Sequence, residues 1–176
     1  MSKFLVTGRQ GCGKTTAIKL LERNGFAAFN TDDIANATRL ENKITGETID
    51  WPSGKVDWTV YAWNWQRQVI EGLLSRDETV FLGGVVSNQK DYYNLFDKIF
   101  VLMVSASTLE QHLQTHEHAS HHLPGEVERI LTDHQVKQQA LVDGGGIPVD
   151  ANRPTIEIVQ DILRIAGIGK SIAEFK

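Results

Sequence analysis

Residues 8–15 have types and a spacing that suit the binding of phosphate. They read G-R-Q-G-C-G-K-T, so glycines at fixed positions precede Lys14 and Thr15. Glycines let successive main-chain N–H groups curve around phosphate oxygens with no Cβ in the way. Lys14 supplies a positive charge to the β- and γ-phosphates of a nucleotide, and the Thr15 hydroxyl suits Mg²⁺. The nucleotide-binding residues that this motif predicts are Gly8, Gln10, Gly11, Cys12, Gly13, Lys14, Thr15 and Thr16.

Short apolar runs alternate with helical patterns along the chain, and they define the elements that position this loop. Phe4–Val6 is a predicted strand before the loop, and Lys14 to about Arg23 is a predicted helix after it. Four more predicted strands are 26–29, 79–82, 98–104 and 147–149. Because these runs are continuous rather than alternating, they predict a parallel sheet with both faces covered, in an α/β fold.

Composition narrows the class of protein. The 176 residues are 41% hydrophobic and 23% charged, which suits one globular domain spanning residues 1–176. Lys and Arg total 18 against 22 Asp and Glu, a net charge of -4, which argues against nucleic acid as the main partner. No apolar run reaches the roughly 18 residues of a membrane span, and the single cysteine forms no internal disulfide. We therefore expect a cytoplasmic protein without a membrane partner.

A second group of polar residues follows the predicted strand 26–29. Asn30-Thr31-Asp32-Asp33 lies where loops at the carboxyl ends of parallel strands converge on a ligand. The two carboxylates could hold Mg²⁺ through water or take a proton from an attacking hydroxyl. Alternatively, Thr31, Asp32 or Asp33 caps a helix that starts near Ile34.

These features together resemble the small P-loop kinases of the adenylate kinase and shikimate kinase type, over most of the chain. The V-D-W and F-D-K-I-F stretches also resemble bacterial proteins described as AAA-family or kinase-like ATPases. The kinase resemblance implies a three-layer fold, a five-stranded and mostly parallel sheet of order 2-3-1-4-5, and a mobile helical lid at about 112–125. It also implies an acceptor-site insert at about 31–75.

The resemblance assigns further residues. The loop after the last strand is expected to contact the adenine through Ala151, Asn152 and Arg153. The backbone of Gly83 and Gly84 is expected to lie against the acceptor. Asp32 matches the second acidic position of a D-x-D turn, but Asn30 stands at the first. This difference shifts the expected magnesium contacts onto Thr15 and Asp32.

The lid departs from the kinase pattern. Its usual R-x-x-x-R spacing is filled by His112 and His116, and all six histidines lie between His112 and His134. The imidazoles could replace the arginines as phosphate contacts, with pH-sensitive activity. Histidines at this spacing could instead bind a metal ion. A third interpretation is a solvated loop that has lost its arginines. Arg129 is the remaining lid-side arginine candidate.

Aromatic residues concentrate in the insert. All four tryptophans and Tyr61 fall within residues 51–65. A helical stripe of Trp58, Tyr61, Trp65 and Val69 predicts core packing.

Trp63 and Arg67 form a second stripe at i, i+4. They could bind the acceptor or form a surface cation–π pair. Trp51 is open to the same two interpretations.

The function expected from these residues is transfer of the ATP γ-phosphoryl group to a small acceptor, a nucleoside, a nucleotide or a hydroxylated metabolite. Lys14 and the loop amides would hold the phosphates, with Mg²⁺ at Thr15, and Asp32 or Asp33 would orient or deprotonate the acceptor hydroxyl. The alternative is a nucleotide-binding switch or a slow NTPase without an acceptor, because the lid arginines are missing. A histidine-based metal-binding module is a third hypothesis.

Overall fold

The computed structural model describes residues 1–52, 55–115 and 125–173. Its strands are β1 (Lys3–Gly8), β2 (Ala27–Asn30), β3 (Thr38–Asn42), β4 (Thr48–Ile49), β5 (Tyr61–Trp65), β6 (Val80–Gly83), β7 (Lys98–Met103) and β8 (Ile147–Asp150). Its helices are α1 (Lys14–Arg23), α2 (Arg67–Leu74), α3 (Ala106–Thr115), α4 (Glu126–Thr132), α5 (His134–Asp143) and α6 (Thr155–Ala166). All five strands predicted from the apolar runs form, with ends that differ from the predicted ones by at most two residues.

Five strands make one parallel sheet in the order β2-β6-β1-β7-β8. Numbered within this sheet alone, the order is 2-3-1-4-5, and the chain-wide numbers differ because a second sheet intervenes. β1 is therefore the central strand, paired with β6 on one side and β7 on the other. The loop that follows it lies at the middle of the sheet's carboxyl edge, where open α/β sheets bind their ligands.

Helices cover both faces of this sheet. Phe4 packs in one buried cluster with Ile18 of α1 and Ile162 of α6. Leu5, the next residue of β1, joins Ile70 of α2 in a second cluster on the opposite face. Successive strand residues point to opposite faces, so a continuous apolar strand needs cover on both. The predicted three-layer α/β architecture is confirmed.

The insert is the part that the sequence patterns described wrongly. β3, β4 and β5 form a separate antiparallel sheet, with Thr38 opposite Trp65. The helical stripe of Trp58, Tyr61, Trp65 and Val69 does not exist, because residues 61–65 are a strand and α2 starts only at Arg67. The prediction followed the four-residue spacing of Tyr61, Trp65 and Val69, which a strand and a helix share. The alternation of Tyr61, Trp63 and Trp65 with a period of two is the strand signal that it passed over.

The lid region is described only in part. Helix α3 ends at Thr115, and the chain is described again from Gly125, just before α4. His112 and Arg129 therefore lie within the described residues. His116, His118, His121 and His122 lie outside them, as does most of the predicted lid at 112–125. Across the described ranges, no helix is both long and apolar enough to cross a membrane.

Candidate active site

The loop between β1 and α1 has the backbone shape that its glycines predict. Gly8, Gly11 and Gly13 have φ values of +147°, +84° and +96°, in the region that favours glycine. A Cβ at Gly8 would lie 2.7 Å from the Cys12 Sγ and 2.9 Å from the Leu102 carbonyl oxygen. Gly8 is therefore required by both conformation and space, and the loop folds tightly over the end of β7.

Lys14 lies inside this loop. Its side chain is buried, and its Nζ donates hydrogen bonds to the carbonyl oxygens of Gly8 at 3.0 Å and Arg9 at 2.9 Å. Both acceptors are uncharged carbonyl oxygens, so no carboxylate pairs with the ammonium group in these two bonds. The dipole of α1 adds partial positive charge at the same point. Loop and helix together make a site for an anion.

The other predicted loop residues surround this centre. Cys12 is buried, with its Sγ 3.8 Å from the Lys14 Nζ. Thr15 is half-buried and Thr16 is exposed in the first turn of α1, while Gln10 is half-buried. Cys12 thus supports the loop from within, and the contact of Thr15 with a ligand stays a prediction.

Helix α3, which precedes most of the predicted lid, packs against this loop. The carbonyl oxygen of Gly11 accepts a hydrogen bond at 2.8 Å from the Nδ1 of His112, which therefore carries the proton in this contact. A Cβ at Gly11 would lie 2.9 Å from the Leu109 Cδ1, so α3 packs directly on the loop backbone. In the described structure His112 supports the loop, which is a role that the three sequence interpretations did not include.

Arg9 links the loop to the junction of α4 and α5. Its Nη2 donates to the Asp133 Oδ1 at 2.5 Å and to the carbonyl oxygen of Ile130 at 3.2 Å. Burial lowers the pKa of the Arg9 guanidinium, although the Asp133 carboxylate opposes this shift. Sequence reasoning missed both residues. Arg9 stands at a variable position of the motif, and nothing nearby in the sequence indicates its partner.

The acidic turn lies at the carboxyl end of β2. Residues Thr31–Asp33 form a 3-10 turn, and Ile34 after it is extended. No helix starts near Ile34, so the alternative in which this segment caps a helix is wrong. Asp32 and Asp33 are both exposed at the edge of the sheet. Both carboxylates therefore lie just beyond the carboxyl end of β2.

Asn30 and the two glycines lie next to this turn. The Asn30 Oδ1 is buried and has no hydrogen-bond partner among the described residues. Gly83 is opposite Asn30 in β6, and a Cβ there would lie 2.4 Å from the Ile18 Cγ1. A Cβ at Gly84 would lie 2.4 Å from the Thr31 Oγ1. Packing by itself therefore explains both glycines, and their contact with an acceptor stays a prediction.

The small antiparallel sheet carries an aromatic cluster. The ring of Trp51 lies edge-on to Trp63 at 5.3 Å and near Trp58 at 6.0 Å. Trp51 and Trp63 also line a cleft of about 310 Å³. The remaining residues of this cleft are Ala35, Asn36, Thr38, Arg39, Ile49 and Asp50. The cleft begins two residues after Asp33, so it adjoins the acidic turn along the chain.

Arg67 does not share this cluster with Trp63. Its guanidinium lies 5.0 Å from the ring centroid of Tyr92, and its Nη1 donates to the Glu71 Oε1 at 2.8 Å. The predicted pair of Trp63 and Arg67 rested on a helix that is absent from residues 61–65. Arg129 instead reaches the aromatic cluster, with its Cζ 5.9 Å from the ring centroid of Trp58.

The segment after β8 is held by its own hydrogen bonds. The Asn152 Oδ1 accepts from the Ser105 N–H at 2.9 Å, and its Nδ2 donates to the Asp150 Oδ1 at 2.8 Å. Arg153 donates to the Asp161 Oδ2 at 2.6 Å, and Ala151 is buried. These bonds preform the segment at the carboxyl edge of the sheet, and its contact with adenine stays a prediction.

The described residues give no sign of a histidine-based metal centre. Within the ranges that the structure covers, no three His, Cys, Asp or Glu side chains come together to hold a metal ion. Most of the histidines proposed for such a centre lie outside those ranges.

Among the solved structures that share this fold are three kinases. A gluconokinase from Sinorhizobium meliloti aligns with a TM-score of 0.51 and 18% identity, over 93% of this chain and 90% of that one. A deoxyadenosine kinase from M. mycoides, with bound dATP, aligns with a TM-score of 0.54 and 14% identity, over 95% of this chain and 100% of that one. A sugar kinase from Janibacter sp. aligns at 0.56 and 18%, over 99% of both chains.

Sequence comparison adds no nearer relative. No family model matches the chain, and no curated protein matches it. At such low identity the structural likeness establishes the fold, which is that of the small P-loop kinases. It confirms the fold class that the sequence resemblance implied.

Proposed function

We propose that this protein is a kinase that transfers the γ-phosphoryl group of ATP to a small hydroxylated acceptor in the cytoplasm. The observation that carries the proposal is the position of Lys14, whose ammonium group lies inside a glycine loop at the carboxyl end of the central strand. The three neighbours with this fold are kinases by name, which supports the same activity.

In this proposal the loop binds the triphosphate of ATP. Main-chain N–H groups between Gly8 and Thr15 donate to phosphate oxygens, and Lys14 exchanges carbonyl partners for phosphate. The preformed turn at 151–153 lies against the adenine. Binding and orientation by these residues supply most of the catalysis, because phosphoryl transfer depends on positioning and charge stabilisation.

The donor set at the crevice fits Mg²⁺. Thr15 offers a hydroxyl, Asn30 a buried carbonyl oxygen without a described partner, and Asp32 a carboxylate. These are the oxygen ligands that Mg²⁺ prefers, and nucleotide phosphates normally complete its shell. When bound there, Mg²⁺ neutralises charge on the transferring phosphoryl group.

The acceptor is proposed to bind in the cleft beside the acidic turn. Trp51 and Trp63 offer aromatic surface in this cleft. Arg39 and Asp50 offer polar groups, and the Arg39 Nη1 donates a hydrogen bond to the Asp50 Oδ1 at 2.6 Å. A sugar ring or a nucleobase can stack on such surface and bond to such groups. The neighbours include kinases of both acceptor classes, so both belong in a test.

The reaction then follows from this placement. The acceptor oxygen forms a bond to the γ-phosphorus, the bond from phosphorus to the β–γ bridging oxygen breaks, and ADP leaves. The hydroxyl proton passes to Asp32 or Asp33. Arg129 is the arginine proposed to stabilise charge on the phosphoryl group, since the R-x-x-x-R positions hold His112 and His116.

A nucleotide-binding switch or a slow NTPase is the second candidate. The observation in its favour concerns position 112, where the kinase pattern has an arginine. This position holds a histidine, and its Nδ1 bonds to the loop backbone. Such a protein would hydrolyse ATP slowly, at a rate that no acceptor changes.

An acceptor panel separates the two candidates. ADP formation is measured with gluconate, several sugars and several deoxynucleosides, at pH 6 and pH 8. Lys14→Ala serves as the blank, and Lys19→Ala, an exposed lysine of the same helix, serves as the matched control. If the protein is a kinase, one acceptor should raise the rate of ADP formation in the wild type and in Lys19→Ala. The same acceptor should not raise it in Lys14→Ala. Equal rates in the wild type and in Lys14→Ala would refute the catalytic assignment.

A further inference from the structure

Arg9 links the phosphate loop to residues more than 120 positions away in sequence. Its side chain is only 13% exposed, and its Nη2 bonds to the Asp133 carboxylate and to the Ile130 carbonyl oxygen. The Nε of Arg9 is buried without a hydrogen-bond partner in the described part of the chain. A buried guanidinium with one unsatisfied N–H depends strongly on the bonds that remain.

Both acceptors of Arg9 lie at the junction of α4 and α5. Ile130 lies in the last turn of α4, whose final carbonyl groups have no partner within the helix. Asp133 is the single residue between α4 and α5. A cation at this point satisfies an end carbonyl and faces the negative end of the α4 dipole. Arg9 therefore fixes the junction of two helices to the loop.

Asp133 is shared among several cations. Lys137 also donates to it, one turn further along α5. Burial raises the pKa of Asp133, but the Lys137 hydrogen bond and the charges of Arg9 and Arg129 bring it below its ordinary value. Three cations therefore act on this one carboxylate. Asp133 thus holds together groups that would otherwise repel one another.

We propose that Arg9 is a positioning residue: through Asp133 it holds α4 and α5, and with them Arg129, in place against the phosphate loop. Arg129 also lies over Trp58, so it bridges the loop side and the aromatic cluster. In this way one arginine stays in place although the two lid arginines are missing. The role of Arg129 rests on the proposed kinase function, whereas the link between loop and helices does not.

Hydrogen exchange tests the link without needing an acceptor. In the wild type, Mg-ATP is expected to slow exchange in residues 125–143 by about 10-fold, a typical coupling between two sites. In Arg9→Gln, Mg-ATP still binds to Lys14 and the loop amides with affinity within about 3-fold, but the slowing falls below about 2-fold. Asp133→Asn, which is nearly isosteric, gives the same result and guards against misfolding of the first variant.

Two further variants separate positioning from plain stability. Arg9→Lys, which keeps a cationic donor for the Asp133 carboxylate, is expected to retain most of the slowing. Arg164→Gln, which breaks an exposed pair with Asp161, is expected to leave it unchanged. Slowing that persists in both Arg9→Gln and Asp133→Asn would overturn the proposal, as would an Arg9→Lys variant that is as defective as Arg9→Gln.

The proposed function can fail separately. A wild type that binds Mg-ATP but phosphorylates no acceptor refutes the kinase, and the exchange comparison still decides the role of Arg9. If transfer is observed, Arg129→Ala should lower kcat by about 10-fold or more in the wild type and by less than about 3-fold in Arg9→Gln. Equal losses in both backgrounds would contradict the link.

Discussion

Replacing Gly83 by alanine tests whether this glycine serves packing or the acceptor. The added Cβ would lie 2.4 Å from the Ile18 Cγ1 and 3.1 Å from its Cδ1. Ile18 is 1% exposed, in the core between α1 and the sheet, so it has little room to move. Overpacking of this kind costs about 1–3 kcal/mol of unfolding free energy. In a chain of this size the melting temperature should fall by about 2–12 °C.

A second substitution shows where the cost arises. Ile18→Ala alone should cost about 2–5 kcal/mol, because it leaves a cavity. It also removes the atoms that Gly83→Ala strikes. The double variant should therefore cost about as much as Ile18→Ala alone, with a coupling of about 1–3 kcal/mol. Unfolding in urea measures all three variants.

The control lies in another helix. A Cβ at Gly72, in α2, would have no other atom within 4 Å, so Gly72→Ala should stabilise the protein by about 0.5–1 kcal/mol. Additive losses in the Gly83 and Ile18 pair would refute the packing argument. A KM for the acceptor that is higher in the double variant than in Ile18→Ala would show that the Gly83 backbone also meets the acceptor.

Three other predictions concern the loop supports and the cleft. Because Asp133 has a lowered pKa in the folded protein, its stabilisation is present above the unfolded pKa of about 3.9 and is lost as the pH falls through the folded value. The stability gap between the wild type and Asp133→Asn, measured in urea, should thus shrink between about pH 5 and pH 2, and a constant gap would contradict this. Trp63→Ala should raise the acceptor KM several-fold in steady-state kinetics with ATP affinity unchanged, and a change confined to ATP affinity would count against the cleft. His112→Ala should weaken ATP binding by roughly 2- to 12-fold through loss of the bond to Gly11, while His112→Asn, which keeps a donor, should weaken it less. Calorimetry measures the ATP affinity of both variants, and equal affinities would contradict a role of this hydrogen bond in ATP binding.

The parts predicted correctly are those whose determinants are local in sequence. Gly8 to Thr15 set their own backbone shape, and the strand before them and the helix after them are read from adjacent residues. The run from Lys98 to Met103 is apolar on both faces, so it could only be a buried strand. The position of Asp32 and Asp33 just beyond the carboxyl end of β2 followed in turn from the parallel sheet.

The parts predicted wrongly depend on distant contacts or on an ambiguous period. Residues 61–65 are a strand because they pair with β3, and the paired residues lie 19 to 27 positions apart. The four-residue aromatic spacing on which the helix prediction relied suited either structure. Arg9 and Asp133 are 124 residues apart, and no local pattern connects them. The contact of His112 with Gly11 spans 101 residues and was equally hidden, although the residue itself stood out.

Calorimetric titration with Mg-ATP and Mg-GTP tests the central claim, that the loop around Lys14 grips a triphosphate. The wild type and Lys19→Ala should bind one nucleotide with the same affinity. Lys14→Ala should bind roughly 10- to 150-fold more weakly, which corresponds to the loss of a charge-assisted hydrogen bond of about 1.5–3 kcal/mol. Absence of heat with the wild type, or equal affinity in Lys14→Ala, would contradict the account.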